Sequence, residues 1–211
     1  MKKFRAIPHN STRRFGEEFC ITNLLRKRRN TLCISSFSQR ICGGKGPPKP
    51  ADAIVRCCLS AYAFWILFTE GIGAISGWLI RDSVGLYRDT IQKPPLSPPG
   101  IVFPIVWGIL YALIGVGAAI LYRSEPSEQR TGSLQLYFLQ LLANFLWPIF
   151  FFRMQSFGGA LILLLLLWGL VLWMILSFRK VSPLAAKLQI PYLLWLTFAA
   201  YLNAGVWSLN R

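Results

Sequence analysis

Aromatic side chains at helical spacing are the residues of this chain best suited to chemistry. Phe103, Trp107 and Tyr111 follow one another at intervals of four residues, so a helix would place their three rings along one stripe. Flat rings bind flat apolar molecules by stacking. The stripe therefore predicts one wall of a site for a planar, apolar ligand.

Two later segments combine rings with amides. Gln140, Asn144 and Pro148 share a helical face, with Trp147 and Phe151 beside it. The last apolar segment has a face made of Trp195, Ala199 and Leu202, flanked by Asn203. If the three faces converge, they line a cavity whose few amides orient the ligand. Spacing alone leaves an alternative open, which is an interhelical core with an aromatic belt at the membrane surface.

Groups for hydrolysis, phosphoryl transfer or metal catalysis are missing from the apolar part of the sequence. The single histidine, His9, lies near the N-terminus, and no Ser/His/Asp set, glycine-rich phosphate loop or zinc-type cysteine spacing occurs. We therefore expect no metal and no required cofactor. Glu70 is the exception, because a carboxylate in the middle of an apolar segment is costly unless it is protonated or faces a cavity. A functional role and a simple position in an aqueous vestibule both fit this residue.

Composition separates the chain into two regions. Of the 211 residues, 54% are hydrophobic and 15% charged, and the mean hydropathy is +0.46, which excludes an ordinary soluble domain. The formal charge of +15 would suggest nucleic acid in a soluble protein, but more than half of the Lys and Arg residues lie in the first 58 positions. We therefore predict a basic, disordered tail over 1–58, a membrane domain over 59–211, and no nucleic-acid partner.

Five apolar segments have the length of a membrane-spanning helix. A bilayer core of about 30 Å requires about 20 residues at 1.5 Å per residue. The predicted spans are 59–80, 101–122, 133–152, 157–178 and 188–209. Strands of a membrane barrel would alternate in polarity, and residues 161–167 do not. The predicted fold is an all-α bundle of five transmembrane helices in contact with membrane lipid.

The connections between spans set the expected topology. Residues 81–100 form the one long loop, which could close one end of the bundle. Counted on alternate sides, Lys and Arg are in excess on the side of the N-terminus, which is therefore expected to face the cytoplasm. Residues 1–50 fit an organelle transit peptide, an arm attracted to anionic lipid, or a passive extension.

Glycine and proline positions predict how the helices pack. Gly73 and Gly77 form a GxxxG pair that favours close helix contact, within the bundle or in a dimer. Pro98, Pro99 and Gly100 are expected to open the second span. Pro104, Pro148 and Pro191 are expected to bend or offset their helices.

Three ordered motifs resemble the TspO/MBR family of tryptophan-rich sensory proteins and translocator proteins. The first is KPPLSPPGIVFPIVW at 93–107, continued by Leu110 and Tyr111. The second is QLLANFLWPIFF at 140–151, and the third is PYLLW at 191–195 with FAAYLN at 198–203. The resemblance covers about residues 60–210. Ile101 departs from the family pattern, which commonly has an aromatic residue there.

The resemblance implies a five-helix bundle, often dimeric, that binds porphyrins such as protoporphyrin IX and, in eukaryotic members, cholesterol and benzodiazepine-type drugs. By motif position, it implies a ligand site lined by Pro98, Phe103, Trp107, Tyr111, Asn144, Trp147, Phe151, Trp195, Ala199 and Leu202. It also implies that the loop over 81–100 is a lid.

The expected function is that of a membrane receptor or sensor for a tetrapyrrole or a similar planar lipophile. Stacking on Trp107 and Trp195, with amide contacts from Asn144, would hold the ligand. The lack of a histidine there favours protoporphyrin IX, or haem without imidazole ligation. Two alternatives stay open: an enzyme that degrades porphyrin in light and oxygen through Trp107 and Trp195, and a transporter of tetrapyrrole or sterol.

Overall fold

The computed structural model describes the backbone of residues 50–210 and the side chains of residues 59–210. The described part is helical and contains no strand. Its elements are α1 (Pro50–Thr90), α2 (Val102–Arg123), α3 (Glu128–Pro148), a π-helical turn (Ile149–Arg153), α4 (Phe157–Val181), α5 (Pro183–Lys187) and α6 (Ile190–Leu209). The predictions for the tail over 1–58 fall outside the described side chains, although α1 begins at Pro50.

Five segments of the described chain are long and apolar enough to cross a membrane, which confirms the predicted all-α fold. They are Leu59–Thr90, Val102–Arg123, Glu128–Arg153, Phe157–Val181 and Pro183–Leu209. All five start or end beyond the predicted limits. The third starts earlier than predicted because Ser127 caps α3: its hydroxyl oxygen accepts a hydrogen bond of 3.2 Å from the backbone N–H of Arg130.

The first helix is longer than the sequence predicted, and the predicted long loop over 81–100 is wrong. α1 continues through residues 81–90, so the loop between α1 and α2 covers only 91–101. Charged side chains in that stretch face solvent without breaking the helix, and its apolar stripe continues through Val84 and Tyr87. The helix ends just before Pro94 and Pro95, whose rings exclude helical geometry.

The predicted bends at Pro104 and Pro191 are wrong, and the predicted offset at Pro148 is present. Pro104 is the third residue of α2 and Pro191 the second of α6, where a missing N–H leaves no helical hydrogen bond unmade. Pro148 ends α3, and the chain continues as the π-helical turn. This turn directs Phe151 inward, where its side chain is buried.

The apolar core lies between α2, α3, α4 and α6, and α1 is the least buried of the five spans. α1 packs closely where the Cα of Gly115 in α2 lies against the backbone of Trp65 and Ile66. Nearby, the hydroxyl groups of Thr69 and Tyr137 share a hydrogen bond of 2.7 Å. Beyond this contact, a cavity separates α1 from α2, α3 and α6.

Candidate functional site

A cavity of about 630 Å³ lies between α1, the loop over 91–101, α2, α3 and α6. Nine of the ten residues expected at the ligand site line it: Pro98, Phe103, Trp107, Tyr111, Asn144, Trp147, Phe151, Ala199 and Leu202. The three helical faces that the spacing singled out therefore meet around one space. Its volume lies in the range of sites for drug-sized ligands.

The aromatic stripe of α2 forms one wall of the cavity. Trp107 packs on Tyr111 with 5.3 Å between the ring centroids and an interplanar angle of 32°, and on Tyr192 at 6.1 Å. The ring of Tyr111 lies directly against the Cα of Gly73 in α1. This contact explains one glycine of the GxxxG pair, which serves packing within the bundle at that position.

A second group of rings comes from α3 and the π-helical turn. Trp147 and Phe151 stack with 5.1 Å between their centroids and an angle of 24°. Phe151 also contacts Tyr87 at 5.4 Å and Phe157 at 5.2 Å. Trp147 precedes Pro148 and Phe151 lies in the π-helical turn, so residues on both sides of Pro148 face the cavity.

Trp195 is not among the residues that line the cavity, so the structure does not bring the two indoles expected to pair, Trp107 and Trp195, together there. Its ring packs edge-on against Phe103, with 5.9 Å between the centroids, and Phe103 is the residue that faces the cavity. The indole nitrogen of Trp195 is buried and has no hydrogen-bond partner among the described residues. Spacing places Trp195 on the same face as Ala199, but the bulk of Phe103 covers it.

The amide of Asn144 is already engaged by protein groups. The Tyr111 hydroxyl donates to its Oδ1 at 3.4 Å, and its Nδ2 donates to the Tyr192 hydroxyl at 2.8 Å. Tyr192 in turn donates to Oε1 of Gln140 at 3.1 Å. Because these groups are buried, the network is needed to satisfy them. Asn144 therefore fixes the position of the Tyr111 ring in the cavity wall.

Asn203 plays a similar part at the other group of rings. The indole N–H of Trp147 donates to its Oδ1 at 3.2 Å, and its Nδ2 donates to the backbone oxygen of Phe157 at 2.8 Å. Asn203 also lines the cavity. The two asparagines thus hold aromatic rings in fixed orientations from α3 and α6.

The wall contributed by α1 was missed by the sequence analysis, apart from the attention drawn to Glu70. Its lining residues are Glu70, Gly73, Ala74, Ser76, Gly77, Ile80, Val84, Tyr87 and Arg88. They recur every three or four residues and would have been recognisable as one helical face. Val84, Tyr87 and Arg88 were missed because the predicted first span ended at residue 80, and the earlier part of the face carries small side chains and no aromatic stripe.

Charge is distributed unevenly along this wall. Glu70 lies near the contact of α1 with the core, and Arg88 and Lys93 line the cavity beside the loop. Eighteen residues of helix separate Glu70 from Arg88, a distance of about 27 Å along the axis. Lys93 donates to the backbone oxygen of Arg88 at 2.9 Å and lies over the Tyr87 ring, and the exposed Arg88 side chain pairs with Asp89 at 3.3 Å. The cavity therefore has an acidic inner end and a basic mouth.

The loop over 91–101 is fastened to α6. Asn210 exchanges two hydrogen bonds with the backbone of Gln92, and the Tyr201 hydroxyl donates to the backbone oxygen of Pro95 at 3.0 Å. The Pro94 ring lies against the Cα of Gly205, where a larger residue would not fit. Pro98 from this loop completes the cavity wall, so the loop covers the mouth.

Comparison with known proteins agrees with the motifs. A model of the TspO/MBR family matches residues 54–208. The translocator protein of Ovis aries is 39% identical over 153 residues, which cover 72% of this chain and 90% of that protein. The tryptophan-rich protein TspO of Chlorobaculum tepidum is 37% identical over 125 residues, 59% of this chain and 79% of that protein. The tryptophan-rich sensory protein of Cereibacter sphaeroides is 33% identical over 151 residues, 69% of this chain and 92% of that protein. With its five apolar helices, the chain is therefore an integral multi-pass membrane protein that belongs to the TspO/MBR family.

Proposed function

We propose that this protein is a membrane receptor that binds a porphyrin, or a similar planar lipophile, in the cavity between α1 and the rest of the bundle. The observation that carries the proposal is the pair of aromatic groups on its walls. Trp107 and Tyr111 lie on α2, and Trp147 and Phe151 lie on α3 and the π-helical turn. Rings held on two sides of one space suit a disc-shaped apolar guest.

The way in which the protein holds the aromatic rings of the cavity wall favours ligand binding. Tyr111 and Trp147 donate hydrogen bonds to Oδ1 of Asn144 and Asn203, and these bonds fix both rings before a ligand arrives. Fixed rings lose little conformational entropy when the ligand stacks on them, which favours affinity. The loop over 91–101 then acts as the lid and has two positions. Ligand binding shifts it toward one of them, because the bound ligand contacts the loop only in that position.

Binding is favoured over porphyrin degradation by the position of the two indoles. The enzymatic alternative uses Trp107 and Trp195 together, and Trp195 lies behind Phe103. A receptor needs only the wall formed by Trp107 and the rings around it. The transport alternative has no specific observation in its favour.

A titration of the purified protein with protoporphyrin IX tests the proposal. Quenching of tryptophan emission gives the affinity, and we expect Trp107→Leu to weaken it about tenfold, since it removes a stacked ring at the ligand. Trp78→Leu is the matched control, because Trp78 lies on α1, is 60% exposed and faces away from the cavity. Equal affinities in the wild type and in Trp107→Leu would contradict the proposal.

We also propose that the N-terminal end of the bundle faces the cytoplasm. Arg123, Arg130, Arg179, Lys180 and Lys187 lie at that end, against Arg81, Arg88, Lys93 and Arg153 at the end that carries the lid. A C-terminal tag that a protease reaches from outside sealed cells supports this orientation. A tag cleaved only in inside-out vesicles reverses it.

A further inference from the structure

A second hollow lies at the opposite end of the bundle from the lid, between the start of α3 and the end of α4. This groove has a volume of about 880 Å³, and Gly132, Gln135, Trp173, Leu176, Arg179 and Lys180 are among its lining residues. At its edge the hydroxyl groups of Ser133 and Ser177 share a hydrogen bond of 2.8 Å, which joins the two helices there. The groove has no residue in common with the aromatic cavity.

The basic side chains of the groove are not used by the fold. At the same end of the bundle, Arg123 lies over the ring of Tyr62, and Arg130 donates to two backbone oxygens. Arg179 and Lys180 are exposed and form no ion pair or hydrogen bond with any described residue. None of the groove's described lining residues is acidic. The groove is therefore lined by two cations that pair with no acidic lining residue, and Glu128, exposed at the start of α3, directly precedes the lining Gln129.

Polarity changes with depth along α4. Trp173 and Leu176, which are 63% and 52% exposed, precede Arg179 by six and three residues. At 1.5 Å per residue, Trp173 lies about 9 Å further from this end of the bundle than Arg179, measured along the helix axis. Tryptophan favours the boundary between headgroups and hydrocarbon, and basic residues favour the phosphate level. The groove thus has a cationic end at the level of the lipid phosphates and an apolar end toward the hydrocarbon. This order matches the headgroup and acyl chain of a phospholipid molecule.

We propose that this groove binds one anionic phospholipid. Arg179 and Lys180 hold its phosphate and acidic headgroup, the Gln135 amide donates to headgroup oxygens, and the first part of an acyl chain lies along Leu176 and Trp173. Two cations favour an anionic headgroup over a zwitterionic one, because the ammonium group of a zwitterionic lipid offsets part of the attraction. The site is independent of ligand binding in the aromatic cavity.

Native mass spectrometry of the full-length protein tests the proposal. The protein is released from neutral detergent containing equal amounts of phosphatidylglycerol and phosphatidylcholine, and retained lipids are counted. We expect one phosphatidylglycerol per chain in the wild type and about 30-fold weaker retention in the double variant Arg179→Gln/Lys180→Gln, since each basic group near the surface contributes about fivefold.

Two further variants separate a built site from surface charge. Arg123→Gln/Lys187→Gln removes the same charge at the same end of the bundle outside the groove and should retain the lipid. Gly132→Leu keeps all charges but narrows the groove, and its side chain fits without a clash because nothing lies within 4 Å of the added Cβ. It should lose the lipid while the protoporphyrin affinity stays unchanged.

Three results would overturn the proposal. One is equal retention of phosphatidylglycerol by the wild type and the Arg179→Gln/Lys180→Gln variant. Another is equal loss in the Arg123→Gln/Lys187→Gln control, which would indicate general surface charge. The third is displacement of the lipid by millimolar inorganic phosphate. That result would show that the site binds phosphate and that the apolar end of the groove does not contribute to binding.

Discussion

Asn210 and Gln92 are joined by two hydrogen bonds that fasten the loop over 91–101 to the end of α6. The backbone N–H of Gln92 donates to Oδ1 of Asn210 at 3.0 Å, and Nδ2 of Asn210 donates to the backbone oxygen of Gln92 at 2.9 Å. The side chain of Asn210 thus satisfies both polar groups of a loop residue that no helix could satisfy. Gln92 takes part through its backbone alone. The side chain of Asn210 can therefore be tested separately from the side chain of Gln92.

Replacement of Asn210 by alanine is expected to loosen the lid. Two hydrogen bonds of about 1 kcal/mol each are lost, so we expect bound porphyrin to dissociate about fivefold faster or more. The amide of Gln92 should also exchange its hydrogen faster. Gln92→Ala is the control, because it keeps the backbone groups that Asn210 contacts. A change of equal size in Gln92→Ala would show that the side chains, and not this pairing, hold the loop.

The two glycines of the GxxxG pair are expected to differ in their tolerance of alanine. A Cβ at Gly73 would overlap the Tyr111 ring, whereas a Cβ at Gly77 meets nothing within 4 Å. Gly73→Ala should lower the free energy of unfolding by about 1 to 3 kcal/mol through overpacking. Gly77→Ala should leave it unchanged or raise it by up to about 1 kcal/mol, because alanine favours helix. Thermal unfolding in detergent measures both, and identical melting temperatures would count against the Tyr111 contact.

The basic mouth of the cavity is expected to set the orientation of a dicarboxylic porphyrin. With its propionates toward Arg88 and Lys93, the ligand should bind about fivefold more weakly to the variant Arg88→Gln/Lys93→Gln, since exposed ion pairs contribute up to about 1 kcal/mol each. The dimethyl ester of the same porphyrin, which has no carboxylates, should bind both proteins alike.

Glu70→Gln provides the matched control at the other end of the cavity. About 27 Å of helix separates Glu70 from Arg88, so its charge acts weakly on carboxylates at the mouth. We expect unchanged affinity for the diacid in this variant. Tighter binding of the diacid to Glu70→Gln would place the propionates at the inner end.

Asn144 is expected to matter for stability as well as for binding. Asn144→Leu keeps the approximate side-chain volume but removes the acceptor of Tyr111 and the donor to Tyr192, both of which are buried. The Tyr111 hydroxyl is then left unsatisfied and Tyr192 keeps only its bond to Gln140, which should lower the free energy of unfolding by about 1 to 3 kcal/mol. Tyr111→Phe removes only the longer bond of 3.4 Å and should cost less. Denaturation in detergent compares the two, and a larger loss in Tyr111→Phe would refute this ranking.

Local sequence patterns determined much of the fold and part of the candidate site. Apolar length predicted the five spans, and the four-residue spacing of Phe103, Trp107 and Tyr111 predicted one wall of the cavity. These signals are local because helix rise and turn are fixed by backbone hydrogen bonding, so residues that share a face can be read from their numbers. The same reasoning failed at residues 81–90, where charged residues resembled a loop but continue α1 as an exposed helix.

Tertiary structure alone decided which faces meet and what each side chain does there. Trp195 shares a helical face with Ala199, yet Phe103 from another helix covers it. Asn144 lines the cavity, and its amide also forms hydrogen bonds with Tyr111 and Tyr192 from two other helices. Such outcomes depend on the separation and rotation of helices distant in the chain, which are set by packing volume and by the pairing of buried polar groups across the bundle. No spacing within one segment contains that information.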